Sequence, residues 1–274
     1  FLSFMKRAAV SQPEVATLFI AASEQDSNLY YATRFIAPDS FIYLEIKGER
    51  LLVMSDLEMD RARTQASVDR VLSYSELELK AKEQGIKDPT TVDIVHVVLK
   101  ESKIRRLSVP ANFPFIHATR LQELGYSLKP KRDPFYEQRV VKTAEEVRHI
   151  EAAQRATEEA VAAAHAVLRQ ATIKNSELWF EGAVLTSERI KKLINVKLME
   201  RDCVAQHTIV AGGEQACDPH NEGSGPLLAD RSIIFDVFPR SAVSRYFADM
   251  SRTVIRGAAS PELKRLYQTV KDAQ

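Results

Sequence analysis

The sequence predicts two domains, an α/β amino-terminal domain over residues 1–137 and a second domain over 138–274. Three observations carry this reading. Strand-like runs alternate with helix-period patterns from Val15 to Leu128, the order expected of a layered α/β sheet. Pro110, Pro114, Pro130 and Pro134 then punctuate the chain, and Thr143-Ala-Glu-Glu146 forms a capping box that opens a long amphipathic helix. Beyond it, Ser232–Gly257 reads as two strands joined by a polar loop.

Taken in order, residues 1–14 predict a short amphipathic helix ending near Pro13, and Val15–Ala22 an apolar strand. Asn28–Phe35 reads as a core strand with two aromatic anchors. Phe41–Ile46 and Leu51–Ser55 flank Lys47-Gly-Glu-Arg50 as a hairpin. Helical patterns follow at Leu57–Ala66, Glu76–Gln84 and Val92–Lys100, and β-prone runs at Val68–Tyr74, Arg106–Val109 and Tyr126–Leu128. His96 and His117 fall on helices with no second ligand at helical spacing, so they read as core or surface residues. After Thr143, the residues Val147, Ile150, Thr157, Val161, Ala164 and Leu168 share one inward stripe. Two more helices are expected, Glu177–Ala183 and Ser187–Met199, the second with Ile190, Leu193, Ile194 and Leu198 on one side, while Trp179 and Phe180 read as core packing. Thr208–Ala211 is a strand, and Gly212-Gly213 permits a sharp change of direction. Ser260-Pro261-Glu262 starts a last helix with N-cap, first-turn proline and an acid at the positive end of the dipole. Leu263, Leu266, Tyr267 and Val270 are its expected buried stripe.

Composition narrows the partners. There are 38 basic and 37 acidic residues, for a net charge of +1, so no global field draws nucleic acid or an acidic partner. Cys203 and Cys217 are too few for a disulfide framework and fit a reducing cytosol, which gives a cytoplasmic expectation. No apolar run approaches the roughly 18 residues of a membrane span, so no membrane partner is expected. The chain opens on Phe1 and stops at Gln274 with a helix in progress, and it reads as a piece of a longer product.

The chemistry concentrates on the hairpin. Strand side chains alternate with period two, so Asp249, Ser251 and Thr253 point to one face. A hairpin of this shape brings Asp236 and Asp249 side by side. Two close carboxylates repel unless a cation sits between them, which makes them candidate metal ligands; the plainer reading is two solvated acids at loop ends. A separate possibility uses sulfur, since Cys203-x3-His207 and Cys217-x2-His220 could together supply four ligands to a structural zinc.

The order Asp236…Tyr-Phe-Ala-Asp249-Met-Ser-Arg-Thr-Val-Ile-Arg-Gly257 resembles the first metal-binding hairpin of the pita-bread metallopeptidases, which include Xaa-Pro aminopeptidases, prolidases and methionine aminopeptidases. Ile209-Val-Ala-Gly-Gly-Glu-Gln-Ala-Cys-Asp-Pro-His220 resembles the segment carrying that family's substrate-side histidine. Asn28-Leu-Tyr-Tyr-Ala-Thr-Arg-Phe35 is similar to an element in the amino-terminal domain of creatinase and prolidase relatives, and Arg139-Val-Val-Lys142-Thr143 to the start of their catalytic domain. The chain departs from the family at Phe238, where a Gly is usual. The resemblance implies a creatinase/prolidase-type α/β domain followed by the first part of an α+β pita-bread catalytic domain. It makes Asp236 a chelating and Asp249 a bridging ligand of two divalent ions, manganese first, with cobalt or zinc as alternatives. It also implies that Ser251 supports them and that His220 bonds substrate. The expected activity is hydrolysis at Xaa-Pro bonds of short peptides by a homodimer. A metal-free, creatinase-like or non-catalytic relative is the alternative. The family's remaining ligands, a His and two Glu, are expected downstream of Gln274, so the chain as given is expected to be inactive.

Overall fold

Alternating apolar side chains build a six-stranded sheet in the first half of the computed structural model, which describes residues 14–274. The strands are β1 (Val15–Ala21), β2 (Phe41–Ile46), β3 (Glu49–Met54), β4 (Arg70–Ser73), β5 (Arg106–Pro110) and β6 (Ser127–Lys131), in the order β4-β3-β2-β1-β5-β6. The β1–β2 and β2–β3 pairs are antiparallel; β3–β4, β1–β5 and β5–β6 are parallel. Lys47 and Gly48, at φ 55° and 84°, make the two-residue turn of left-handed residues that matches the twist of a β2–β3 hairpin. The helix expected before Pro13 lies outside the described residues.

Period two sends successive strand residues to opposite faces, and both faces are covered. Leu18, Ile20, Leu44 and Val53 pack on one side with Leu77 of α3 (Tyr74–Glu83), Ile94, Val95 and Val98 of α4 (Thr91–Glu101), and Leu121 of α5 (Phe115–Glu123). Phe19, Tyr43 and Leu52 face the other side, against Leu29 of α1 (Ser27–Thr33), Met59 of α2 (Met59–Gln65), Phe35 and Phe135. The segment expected as a core strand over Asn28–Phe35 is therefore mostly the helix α1. Asp26 caps it by accepting from Leu29 N–H at 2.8 Å, and Arg34 ends it at φ 52°. The cap decides the conformation that the aromatic, β-prone letters misread. Asn28 still has a structural use, because its side chain donates to Asp133 and accepts from Phe135 N–H.

The chain divides into two compact units between Val141 and Lys142. The second opens with α6 (Ala144–Gln170), where Thr143 accepts from Glu146 N–H and Glu146 accepts from Thr143 N–H, the reciprocal capping box. The inward stripe forms from Ala153 onward, with Thr157, Val161, Ala164 and Leu168 buried; Val147 is 41% exposed. The helix expected at Glu177–Ala183 is instead a meander of β7 (Thr172–Lys174), β8 (Glu177–Phe180) and β9 (Ala183–Val184). Asn175-Ser176 and Glu181-Gly182 take left-handed φ in pairs, which no helix accommodates and which two tight hairpin turns require. Then follow α7 (Ser187–Met199), β10 (Cys203–Val204), β11 (Ile209–Gly212), β12 (Ser232–Val237), β13 (Arg240–Ser241), β14 (Met250–Ile255) and α8 (Pro261–Ala273). β11, β12 and β14 form an antiparallel sheet, and its inner side chains Ile233, Phe235 and Val237 pack with the alanine stripe of α6 and with Ile190, Ile194 and Leu198 of α7.

α8 is capped as expected, Ser260 accepting from Leu263 N–H. Its apolar stripe is not buried, however: Leu266, Tyr267 and Val270 are 61%, 61% and 54% exposed. No element among the described residues covers them.

Candidate active site

The register of the hairpin fixes which side chains meet. Asp236 on β12 stands directly opposite Ser251 on β14, and Val237 opposite Met250. Ile233, Phe235, Val237 and Met250 turn inward, so Asp236 and Ser251 share the outer face. Ser251 Oγ donates to Asp236 Oδ1 at 2.6 Å. Asp249 stands two residues before Ser251, immediately before β14, and continuing the same alternation puts it diagonal to Asp236 on that face. Its side chain is exposed and has no hydrogen bond or ion pair among the described residues.

A second contact steadies this end of the hairpin. Tyr246, on the loop before Asp249, donates its hydroxyl to Glu146 Oε1 at 2.7 Å, and its ring stacks on His149 of α6 at 5.5 Å. Glu146 is 4% exposed and so has two tasks, capping α6 and fixing the loop that leads to Asp249. Sequence reasoning found only the first, because the Tyr246 pairing spans a hundred residues.

His220 is exposed on the loop that follows a 3-10 turn at Gly213–Cys217. Its backbone N–H donates to Asp218 Oδ1 at 3.0 Å. No hydrogen bond or ion pair among the described residues joins His220 to Asp236 or Asp249. The four-ligand zinc possibility fails here. Cys203 is buried in β10, where burial, aided by Asp202, pushes its thiol pKa up. His207 is paired with Glu222 at 2.7 Å instead. Among the described residues no three His, Cys, Asp or Glu side chains are grouped to hold a metal ion. Asp236 and Asp249 offer hard oxygen donors on an open face, which fits part of the shell of a divalent ion.

Residues 148–274 match the model of metallopeptidase family M24. The matched region contains the hairpin, the His220 loop and most of α6. Solved structures share the fold over nearly the whole chain. An X-Pro aminopeptidase from Thermotoga maritima has a TM-score of 0.74 at 19% identity, covering 95% of this chain and 68% of that one. A prolidase from Pyrococcus furiosus scores 0.70 at 18% identity, with 96% and 68% covered. An Xaa-Pro dipeptidase from Bacillus anthracis scores 0.76 at 15% identity, with 95% and 65% covered. The chain thus spans about two thirds of the length of these relatives. The architecture is an α/β amino-terminal domain followed by pita-bread-type M24 structure. No curated protein sequence matches the chain. No helix among the described residues is long and apolar enough to cross a membrane.

Proposed function

We propose that the M24 region carries the first metal ligands of a metal-dependent exopeptidase acting at Xaa-Pro bonds of short peptides. The observation that supports this most is the outer face of the β12–β14 hairpin within the M24 match, where Asp236, Ser251 and Asp249 stand together. Two divalent ions bound there, manganese or else cobalt or zinc, would polarise a peptide carbonyl and acidify a water near neutral pH. Asp236 and Asp249 would hold the cations by their carboxylate oxygens. Ser251 donates a hydrogen bond to Asp236 Oδ1 and so holds the carboxylate in the orientation in which it would meet a cation. His220 bonds the substrate on its own side of the site and steadies charge on the attacked carbonyl. A cytoplasmic homodimer is the form in which we expect the whole protein to act.

The test is substitution in the whole protein, with bound metal and Xaa-Pro dipeptide turnover both measured. Asp249→Asn removes the metal and nearly all turnover, while His220→Ala keeps the metal and slows turnover by about 10²-fold or more. Full metal retention and normal activity in Asp249→Asn would refute the reading. Absence of metal and turnover in the unaltered protein would favour the non-catalytic alternative.

A further inference from the structure

His220 stands on a long excursion between β11 and β12, and such a loop samples many conformations unless its base is tied. The ties come from groups that the proposed chemistry does not use. The chain returns along the edge of β11 opposite β12, where Val210 N–H donates to the Glu222 carbonyl at 3.1 Å. The approach is so close that a Cβ on Gly223 would lie 1.9 Å from the Val210 oxygen, and Gly223 has φ +77°; only glycine fits there. On its other side the returning segment meets α7. Glu188 and Lys191 lie one turn apart on that helix. Glu188 accepts from Gly225 N–H at 3.0 Å, a bond that holds its carboxyl below the usual range, and Lys191 Nζ donates to the Gly223 carbonyl at 2.9 Å. The Glu222 carboxylate sits between two basic groups, 2.7 Å from His207 Nδ1 and 4.0 Å from Lys191 Nζ. Gln215 and Ser224 close the loop from within, with Ser224 N–H donating to Gln215 Oε1 at 3.0 Å and Gln215 Nε2 to the Ser224 carbonyl at 3.1 Å.

We propose that Lys191 and Glu222 are positioning residues, which clamp the loop to α7 and so set the place from which His220 reaches substrate. Lys191 is 19% exposed, so its interactions are less screened than those of a surface pair. The clamp rests on the substrate role given to His220 above. Its value follows from geometry, because misplacing an orienting group by about 1 Å costs on the order of 100-fold in rate.

Two measurements judge it. Hydrogen exchange on the 274-residue chain reads the clamp itself: Lys191→Met speeds exchange of the 218–224 amides by about tenfold and leaves those of β12 and β14 unchanged. Turnover by the whole protein reads its purpose. Lys191→Met lowers kcat about tenfold with KM and bound metal little changed, Lys191→Arg restores most of it, and in a His220→Ala background Lys191→Met has no further effect. Unchanged loop exchange in Lys191→Met, or a full additive loss on top of His220→Ala, overturns the proposal. Normal turnover in His220→Ala alone would overturn the role of His220 instead, with the exchange rates still deciding the clamp.

Discussion

His165 on α6 packs edge-on against Phe235, its ring centroid 5.3 Å away, under the sheet that carries Asp236 on its outer face. Its Nε2 is buried with no hydrogen-bond partner among the described residues. Burial first, then the charges of Arg169 and Arg252, depress its pKa below the usual value. A base depressed in the folded state binds protons preferentially in the unfolded chain once the pH falls below about 6.5. The folded state therefore loses stability on acidification from that point toward the folded pKa. His165→Phe keeps the edge-on ring and removes the titration, so the melting temperature of the second unit should fall less between about pH 7 and 5. Equal acid losses in both proteins would sink this. At the same scale, the shared face of Ser251 and Thr253 was legible in the sequence because alternation alone assigns the face, whereas the register that sets Ser251 rather than Asp249 directly opposite Asp236 was not. The Glu222–His207 and Lys191–Gly223 contacts were not, since their partners lie far apart in the chain and obey no period.

Elements were legible where a local rule was strong. The capping box at Thr143–Glu146 announced α6, apolar β-prone runs announced β1 and β12, the Gly-containing loop announced the β2–β3 hairpin, and alternation announced β14. Removing the cap hydroxyl should be felt accordingly: Thr143→Ala leaves Glu146 N–H without its side-chain acceptor and should cost about 1 kcal/mol. Denaturant unfolding of the second unit measures it, and a loss indistinguishable from zero would show that tertiary packing alone holds the start of α6. Two elements escaped the reading for identifiable reasons. In α1 the run Leu-Tyr-Tyr looks like a strand, and only the capping contact of Asp26 selects a helix. In the β7–β9 meander the deciding residues are the left-handed pairs at 175–176 and 181–182; Asn175 and Gly182 are types that favour such turns, but each is paired with a residue, Ser176 or Glu181, that does not announce one. The stripe of α8 was correctly read as apolar, yet periodicity says which residues share a face and nothing about what covers it. Leaving Leu266, Tyr267 and Val270 largely in water forgoes a large part of the about 1.5–3 kcal/mol that burying such a side chain contributes. A 13-residue helix without tertiary packing is marginal.

For the whole molecule, the decisive quantity is the number of metal donors. Asp236 and Asp249 together bring four carboxylate oxygens, of which Ser251 already engages one. A hard divalent ion takes about six oxygen ligands, so two ions would draw most of their coordination from water. The 274-residue chain should consequently retain less than about one ion after extensive dialysis and should not turn over an Xaa-Pro dipeptide. Two tightly held ions, with turnover, would show that the site is built elsewhere. The likeness to M24 and the pita-bread-type fold of the second half were visible from the hairpin and the His220 segment. The spatial relation of His220 to the acids was not, because it depends on how a long loop folds back on β11.

The parallel pairing of β1 with β5 has a consequence for the order of events at the ribosome. Val15 finds its partner Arg106 only after about ninety further residues have been added, which at 5–20 residues per second takes roughly 5–20 s. During that interval β1 can pair with β2, and β2 with β3, but the side of β1 that will receive β5 has nothing to bond. A nascent chain arrested before residue 106 therefore presents an open strand edge. One arrested well past 131, with β6 also clear of the exit tunnel, can complete the sheet in one piece.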